Sequence, residues 1–167
     1  MNDAEIKKYS SDDYEAVVTL MSSLQTHFAN VDSMGELRTF QSREEANAYF
    51  DQGLKDVQEM QGATYVAKIG ETVIGFIQGI ITTHEGEVMH TLGHKKSKEG
   101  WIGLLFVNPD YRGRGTGKKL IDTIKEYFKE QHCETVRLLV HSDNSDAVKL
   151  YEKYGFTPKE IEMVLPL

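Results

Sequence analysis

A chain of 167 residues with 40% apolar and 27% charged side chains and no internal repeat reads as one domain, residues 1–167, with enough apolar surface for a core. Nineteen basic against 26 acidic residues leave a net charge of −7, which argues against a general nucleic-acid binder and suits solubility, or the attraction of cationic amines. No window approaches eighteen apolar residues, the start Met-Asn-Asp-Ala-Glu-Ile lacks the pattern of a signal peptide, and Cys133 is the only cysteine, so the expectation is a cytoplasmic protein without membrane span or internal disulfide.

Glu5–Tyr9 reads as a short first strand. Ser11 caps a helix carrying Tyr14, Val17, Val18, Met21 and Leu24 at spacings of three and four, expected to end near His27 or Phe28. Asn30–Gln41 has no period and contains Gly35, so it reads as a loop. Ser42-Arg43-Glu44-Glu45 is a capping box, followed by the amphipathic stripe Ala46, Tyr49, Phe50, Leu54, Val57. Gly53 weakens that helix by up to about 1 kcal/mol. Thr64–Ile69 and Thr72–Thr82, joined at Gly70-Glu71, predict an antiparallel hairpin, with Gly75 and Gly79 marking close packing or a bulge. Residues 84–99 are polar and carry no assignable period; they suit a loop or a ragged extension of the hairpin. His90 and His94 are four apart, but Gly93 lies between them and no third ligand is evident, so no metal site is expected.

Ile102–Val107 is a short apolar run that predicts a buried strand, stopped by Asn108-Pro109-Asp110. Gly113, Gly115 and Gly117 follow, then Leu120, Ile121, Ile124 and Phe128 on one helical face. Strand, glycine-rich turn and helix start make an anion site. Glycine permits positive φ and close approach, and the helix start presents unpaired N–H groups at the positive end of its dipole. Arg112, Arg114, Lys118 and Lys119 add positive charge. A Walker A pattern fails because Arg112 stands where its first glycine belongs and Lys119 where its Ser or Thr belongs. The dinucleotide fingerprint fails at Lys118. Thr135–Val140 predicts another strand. Ser142-Asp143-Asn144-Ser145 is a capping turn for a helix to Tyr154, with Gly155 as C-terminal cap and Ile161–Leu165 as a last strand.

The pattern Arg-x-x-Gly-x-Gly, Arg112 through Gly117, resembles the GNAT superfamily of acetyl-CoA-dependent N-acetyltransferases. The later block Asn-Ser-Asp-Ala-Val-Lys-Leu-Tyr-Glu-Lys-Tyr-Gly-Phe, from Asn144 to Phe156, resembles it too. The two blocks cover about a third of the chain. The resemblance implies an α/β fold with a mixed, mostly antiparallel sheet and helices on both faces, in agreement with the order of predicted elements. It implies acetyl-CoA as co-substrate, with no metal, and an amine acceptor, small molecule or peptide. It further implies that Arg112, Gly113, Arg114, Gly115, Thr116, Gly117 and Lys118 hold the pyrophosphate and that Leu105, Phe106 and Val107 pair with the pantetheine arm. Asn144 would contact the cofactor and Tyr151 would lie beside the thioester sulfur as the catalytic residue.

Tyr151 also fits a core position beside Ala147 and Leu150. At ordinary values its phenol lies about 1.5 pK units above a thiol, so full proton transfer to a leaving thiolate is uphill by roughly 2 kcal/mol unless the helix start near Asn144 and the basic turn lower it. The family often places a glutamate on one of two strands beside the cofactor, at positions taken here by Trp101 and Leu139, which do not titrate. Glu99, His141 or water are left as bases. The missing glutamate keeps a second reading alive, an acyl-CoA-binding or sensing module without catalysis. Only eleven residues follow Phe156 where the family has two strands, which leaves a homodimer open as a way to complete the sheet.

Overall fold

The computed structural model describes residues 3–85, 88–89, 92–93 and 96–165. Its elements run β1 (Glu5–Lys8), α1 (Tyr14–Val31), α2 (Arg43–Glu59), β2 (Ala63–Ile69), β3 (Thr72–His84), β4 (Val88–Met89), β5 (Leu92–Gly93), β6 (Ser97–Val107), α3 (Thr116–Glu130), β7 (Thr135–Leu138) and α4 (Ser145–Lys153). The main sheet has the order β1-β2-β3-β6-β7; all neighbours are antiparallel except β6 and β7, which are parallel. This is the predicted mixed, mostly antiparallel sheet.

Helices cover both faces. Val17, Val18, Met21 and Leu24 of α1 and Ala46 and Phe50 of α2 pack on Val66, Phe76 and Phe106. On the other face Leu120, Ile121, Ile124 and Phe128 of α3 pack on Ala67, Ile77, Ile81 and Ile102. The alternation of side chains along β2 and β3 sends neighbours to opposite cores. Gly79 lies where α3 meets the sheet: a Cβ there would stand 2.8 Å from the Phe128 ring and from Trp101 O. Gly53, unfavourable inside α2, lets the Gln78 side chain approach; a Cβ would meet its Oε1 at 2.7 Å.

Several details differ from expectation, the longest shift being β6, which begins at Ser97 rather than Ile102. Ser10, rather than Ser11, precedes the first helical turn; residues 11–13 form a 3-10 turn before α1. α1 runs on to Val31, because the Asp32 carboxylate organises the chain after it by accepting N–H groups of Met34 (3.0 Å) and Leu37 (2.7 Å). Ser42 caps α2 through Glu45 N (3.2 Å), but Glu45 reaches back past the cap to Gln41 N (2.6 Å). Residues 161–165 form no strand, although Ile161, Met163 and Leu165 alternate with polar or smaller neighbours; they are exposed. Alternation specifies an extended backbone but supplies no ladder partner, and β7 pairs only with β6 among the described residues. The β3–β6 ladder runs out to His84 and Ser97, and between them the described residues include the two-residue pair β4–β5. His90 and His94 lie outside the described residues.

A buried ion pair fastens the first helical turn to the sheet. Asp13 is 3% exposed; its carboxylate meets Lys68 Nζ at 2.5 Å and accepts from Ser10 N (3.1 Å) and Ser10 Oγ (3.2 Å). Burial alone would raise this carboxyl, but the bond from Lys68, the two from Ser10 and the Lys68 charge together hold it below the ordinary carboxylate range. Asp13→Asn leaves Lys68 without its counter-charge and should cost about 3–5 kcal/mol in urea unfolding. Because the folded value is depressed, the carboxylate's contribution is fully present above the unfolded value of about 3.9 and is lost as pH falls through the folded one. The variant should therefore lose less stability than the wild type on acidification below about pH 4.

Candidate active site

Strands β6 and β7 pair from Glu99–Thr135 to Ile102–Leu138 and no further. β6 continues to Val107, still paired with β3, so its other edge is open from Gly103 onward. Gly103 sits at the parting point as the extra residue of a bulge, since Gln78 pairs with Leu104 and Gly79 with Ile102. The direction of the open backbone groups follows from the ladder. Asn108 N–H donates to Ile74 O on the β3 side (2.9 Å), while Val107 O accepts from Arg112 Nε on the other (2.9 Å). Alternation by two then turns the Leu105 N–H toward the open edge. Leu105 and Val107 pack on the α3-side core; Phe106 is buried in the α1/α2 core.

At the end of this edge the chain turns into α3. Gly113 (φ 76°) and Gly115 (φ 82°) both take the left-handed conformation, which costs glycine little. The first helical bond of α3 is Lys119 N to Gly115 O at 3.1 Å, and among the described residues no acceptor takes the N–H groups of Gly113, Arg114, Gly115, Thr116, Gly117 or Lys118. The basic side chains brace the turn. Arg112 lies 5.3 Å over the Phe106 ring, and Arg114 donates to Asp110 O (3.2 Å) and lies 5.6 Å over Tyr111. Lys118 pairs with Asp122, and Lys119 with Asp3. Thr116 is buried under the turn. The arrangement is a backbone anion cradle on a positively charged rim.

Tyr151, on α4, is half-buried in the same apolar cluster as Leu105, Val107 and Leu138, with its ring edge-on to Phe156 at 5.8 Å. Its hydroxyl makes no hydrogen bond among the described residues. Burial pushes the phenol up to about 12, so neither the helix start nor the basic turn lowers it. Asn144 caps α4: its Oδ1 accepts from Ala147 N (3.3 Å), and its Nδ2 stands 3.4 Å from His27 Nε2.

The two titrating base candidates are both engaged. Glu99 is buried on the Trp101 face of β6, with Arg137 Nε at 2.7 Å, a charge contact whose angle falls short of a hydrogen bond, and His84 Nε2 at 3.7 Å. His141 lies between Asp32 (3.6 Å) and Asp143 (3.7 Å), and Asp143 also accepts from Ser33 N (3.0 Å). Asp32, His141 and Asp143 bring three ligand-type atoms within 4.8 Å of one another, but both carboxylates are already spent on backbone N–H groups. Sequence reasoning missed Asp32 and Arg137, because their partners lie far along the chain and only the topology brings them together. Among the described residues no helix is long and apolar enough to cross a membrane.

Comparison with known proteins gives the family and the fold. The profile of the acetyltransferase (GNAT) family matches residues 25–156. The chain is 40% identical over 57 residues to N-alpha-acetyltransferase 30 of Saccharomyces cerevisiae, 34% of this chain and 32% of the yeast protein. It is 42% identical over 67 residues to an uncharacterised N-acetyltransferase of Methanocaldococcus jannaschii, 40% of this chain and 30% of that one. The matched stretch thus spans about a third of these curated relatives. Among solved structures, an aminoglycoside N-acetyltransferase in complex with CoA superposes with a TM-score of 0.73 at 18% identity, covering 98% of this chain and 94% of its own.

Proposed function

The chain belongs to the acetyltransferase (GNAT) family, and from that premise we propose that it transfers the acetyl group of acetyl-CoA to a primary amine by direct attack. The observation that carries the reading is one continuous surface. Unpaired N–H groups from Gly113 to Lys118 lead directly onto the open β6 edge from Val107 back to Gly103. The pyrophosphate would lie on the N–H groups at the start of α3, with Arg112 and Arg114 supplying charge and rigidity rather than the principal contacts. The pantetheine arm would lie along Leu105–Val107 as an added strand.

In the reaction the Leu105 N–H donates to the thioester oxygen as charge grows there. The unprotonated amine forms the new C–N bond, and the C–S bond breaks. Tyr151 donates a hydrogen bond to the departing sulfur. The attacking nitrogen loses one proton and the CoA sulfur finally gains one, so the protons balance. With Glu99 answered by Arg137 and His141 held between two aspartates, water takes the proton from nitrogen. Asn144 acts through its cap, which fixes the start of α4 and therefore Tyr151.

Incubation of the purified protein with acetyl-CoA and a panel of amines, followed by thiol release and mass analysis of the amine, tests this. An acetylated amine formed in step with thiol is the expected result. Acetyl-CoA binding without turnover for any amine would instead establish the non-catalytic, acyl-CoA-sensing reading.

A further inference from the structure

The opposite face of the bulge opens into a groove of about 290 Å³ between α2 and strands β3 and β6. Tyr49, Gln52 and Asp56 line its helical wall; spacings of three and four place them on one stripe of α2. Gln78 and Trp101 face them from the sheet, and Gly103 lies at the end where β6 parts from β7. The volume is at the small end of ligand sites, which run from about 300 Å³ upward.

One charge in this groove is unanswered. Asp13, Asp32 and Glu99, the buried carboxylates, are met by Lys68, by backbone N–H groups with His141, and by Arg137. The half-buried Asp56 carboxylate has no cation within ion-pair distance among the described residues; its one side-chain contact is the neutral amide of Gln52, Nε2 to Oδ1 at 2.7 Å. Trp101 and Tyr49 add aromatic surface, which attracts cations. A carboxylate beside aromatic rings in a small cleft recognises an alkylammonium group.

We propose that this groove is the acceptor subsite and that it selects small amines carrying a second positive charge, with Asp56 as the specificity-determining residue. The proposal rests on the acetyl-transfer reading and adds the acceptor class to it. The requirement for two nitrogens follows from chemistry. A carboxylate holds the protonated amine, whereas the attacking amine must be unprotonated. One nitrogen cannot do both at once. An acceptor such as a short diamine places its ammonium at Asp56 and its free amine at the Gly103 end, next to the edge assigned to the thioester.

Trp101 is the single tryptophan of the chain, so its fluorescence reports this groove and no other place. Titration of the intact protein with 1,4-diaminobutane should give a saturable change, and 1-butanol, of similar length but without a charge, should bind at least about tenfold more weakly. With acetyl-CoA present at neutral pH the diamine should be acetylated at least about tenfold faster than 1-aminobutane, whose one ammonium Asp56 would hold. Asp56→Asn should weaken diamine binding by tenfold or more and leave 1-butanol binding nearly unchanged. Glu59→Gln removes a carboxylate at the end of the same helix outside the groove, and it should leave both titrations unchanged. No saturable change, equal binding of the diamine and the alcohol, equal rates of acetylation of the two amines, or equal losses in Asp56→Asn and Glu59→Gln would overturn the proposal. Acetyl-CoA titrated separately reports on the transferase reading: its failure to bind defeats that reading, whereas acetyl-CoA binding without diamine preference defeats only the acceptor assignment.

Discussion

Gly117→Val should abolish acetyl-CoA binding while the protein stays folded. Gly117 is the second residue of α3, and its backbone is not among the positive-φ glycines, so a side chain there meets no backbone strain. This corrects one expectation: the left-handed conformation belongs to Gly113 and Gly115. A Cβ at Gly117 would touch only Val107 Cγ2, at 3.9 Å. The apoprotein therefore accommodates valine without loss of helix propensity, since glycine is about 0.8–1.0 kcal/mol less favourable than alanine in a helix and valine at most about 0.7. The ligand would not be accommodated, because the new side chain would stand among the N–H groups proposed to face the pyrophosphate. Hydrogen bonds to a charged group are worth about 1.5–3 kcal/mol each. Loss of two lowers affinity by about two to four orders of magnitude. Calorimetry with acetyl-CoA, beside a thermal melt shifted by no more than a few degrees, checks both halves. Unchanged affinity in a folded variant would remove the phosphate cradle from its place. Gly115→Val would be a poorer test, since at φ 82° it strains the fold itself.

The anion turn and α3 were legible because their signals are local. Gly113 and Gly115 take the left-handed conformation of a tight turn, and Leu120, Ile121, Ile124 and Phe128 mark the buried face of one helix. The sheet was legible for the same reason, as Thr72–His84 and its hairpin partner alternate between two cores. Pairing beyond that hairpin was not. Ile161–Leu165 alternates as well as any strand but lies off the sheet, because nothing within a segment states which edge receives it. The Asp32–His141–Asp143 and Glu99–Arg137 contacts likewise join residues far apart in sequence. Glu99 was legible as a candidate base, yet its pairing with Arg137 changes what it can do. Asp56 carried no signal, since an aspartate seven residues after Tyr49 on a helix looks like solvated surface until the facing strand supplies Trp101.

Tyr151→Phe should lower kcat by about 10- to 1,000-fold and leave acetyl-CoA affinity nearly unchanged. The phenol, pushed up to about 12 by burial, lies about 3.5 units above an ordinary thiol at 8.5, which makes complete proton transfer to the leaving thiolate uphill by about 5 kcal/mol. In the proposed reaction Tyr151 would therefore work as a hydrogen-bond donor to sulfur as negative charge appears there, and the thiolate would take its proton from solvent afterwards. A contact that strengthens only in the transition state shows in kcat rather than in binding. One positioned donor is worth the stated range. The ring, which packs with Phe156, stays in the variant, so the pocket wall is retained. The raised value also sets the pH profile. The phenol keeps its proton until pH nears 12, so Tyr151 causes no fall in rate between neutral pH and about pH 11. The rate in this interval should instead rise as the acceptor amine loses its proton. Steady-state kinetics on the wild type and the Phe variant across that interval, with acetyl-CoA affinity measured apart, decides the matter. A kcat within twofold of wild type would return Tyr151 to core packing. An alkaline limb lost on substitution would show instead that the phenol ionises during turnover, as a true acid.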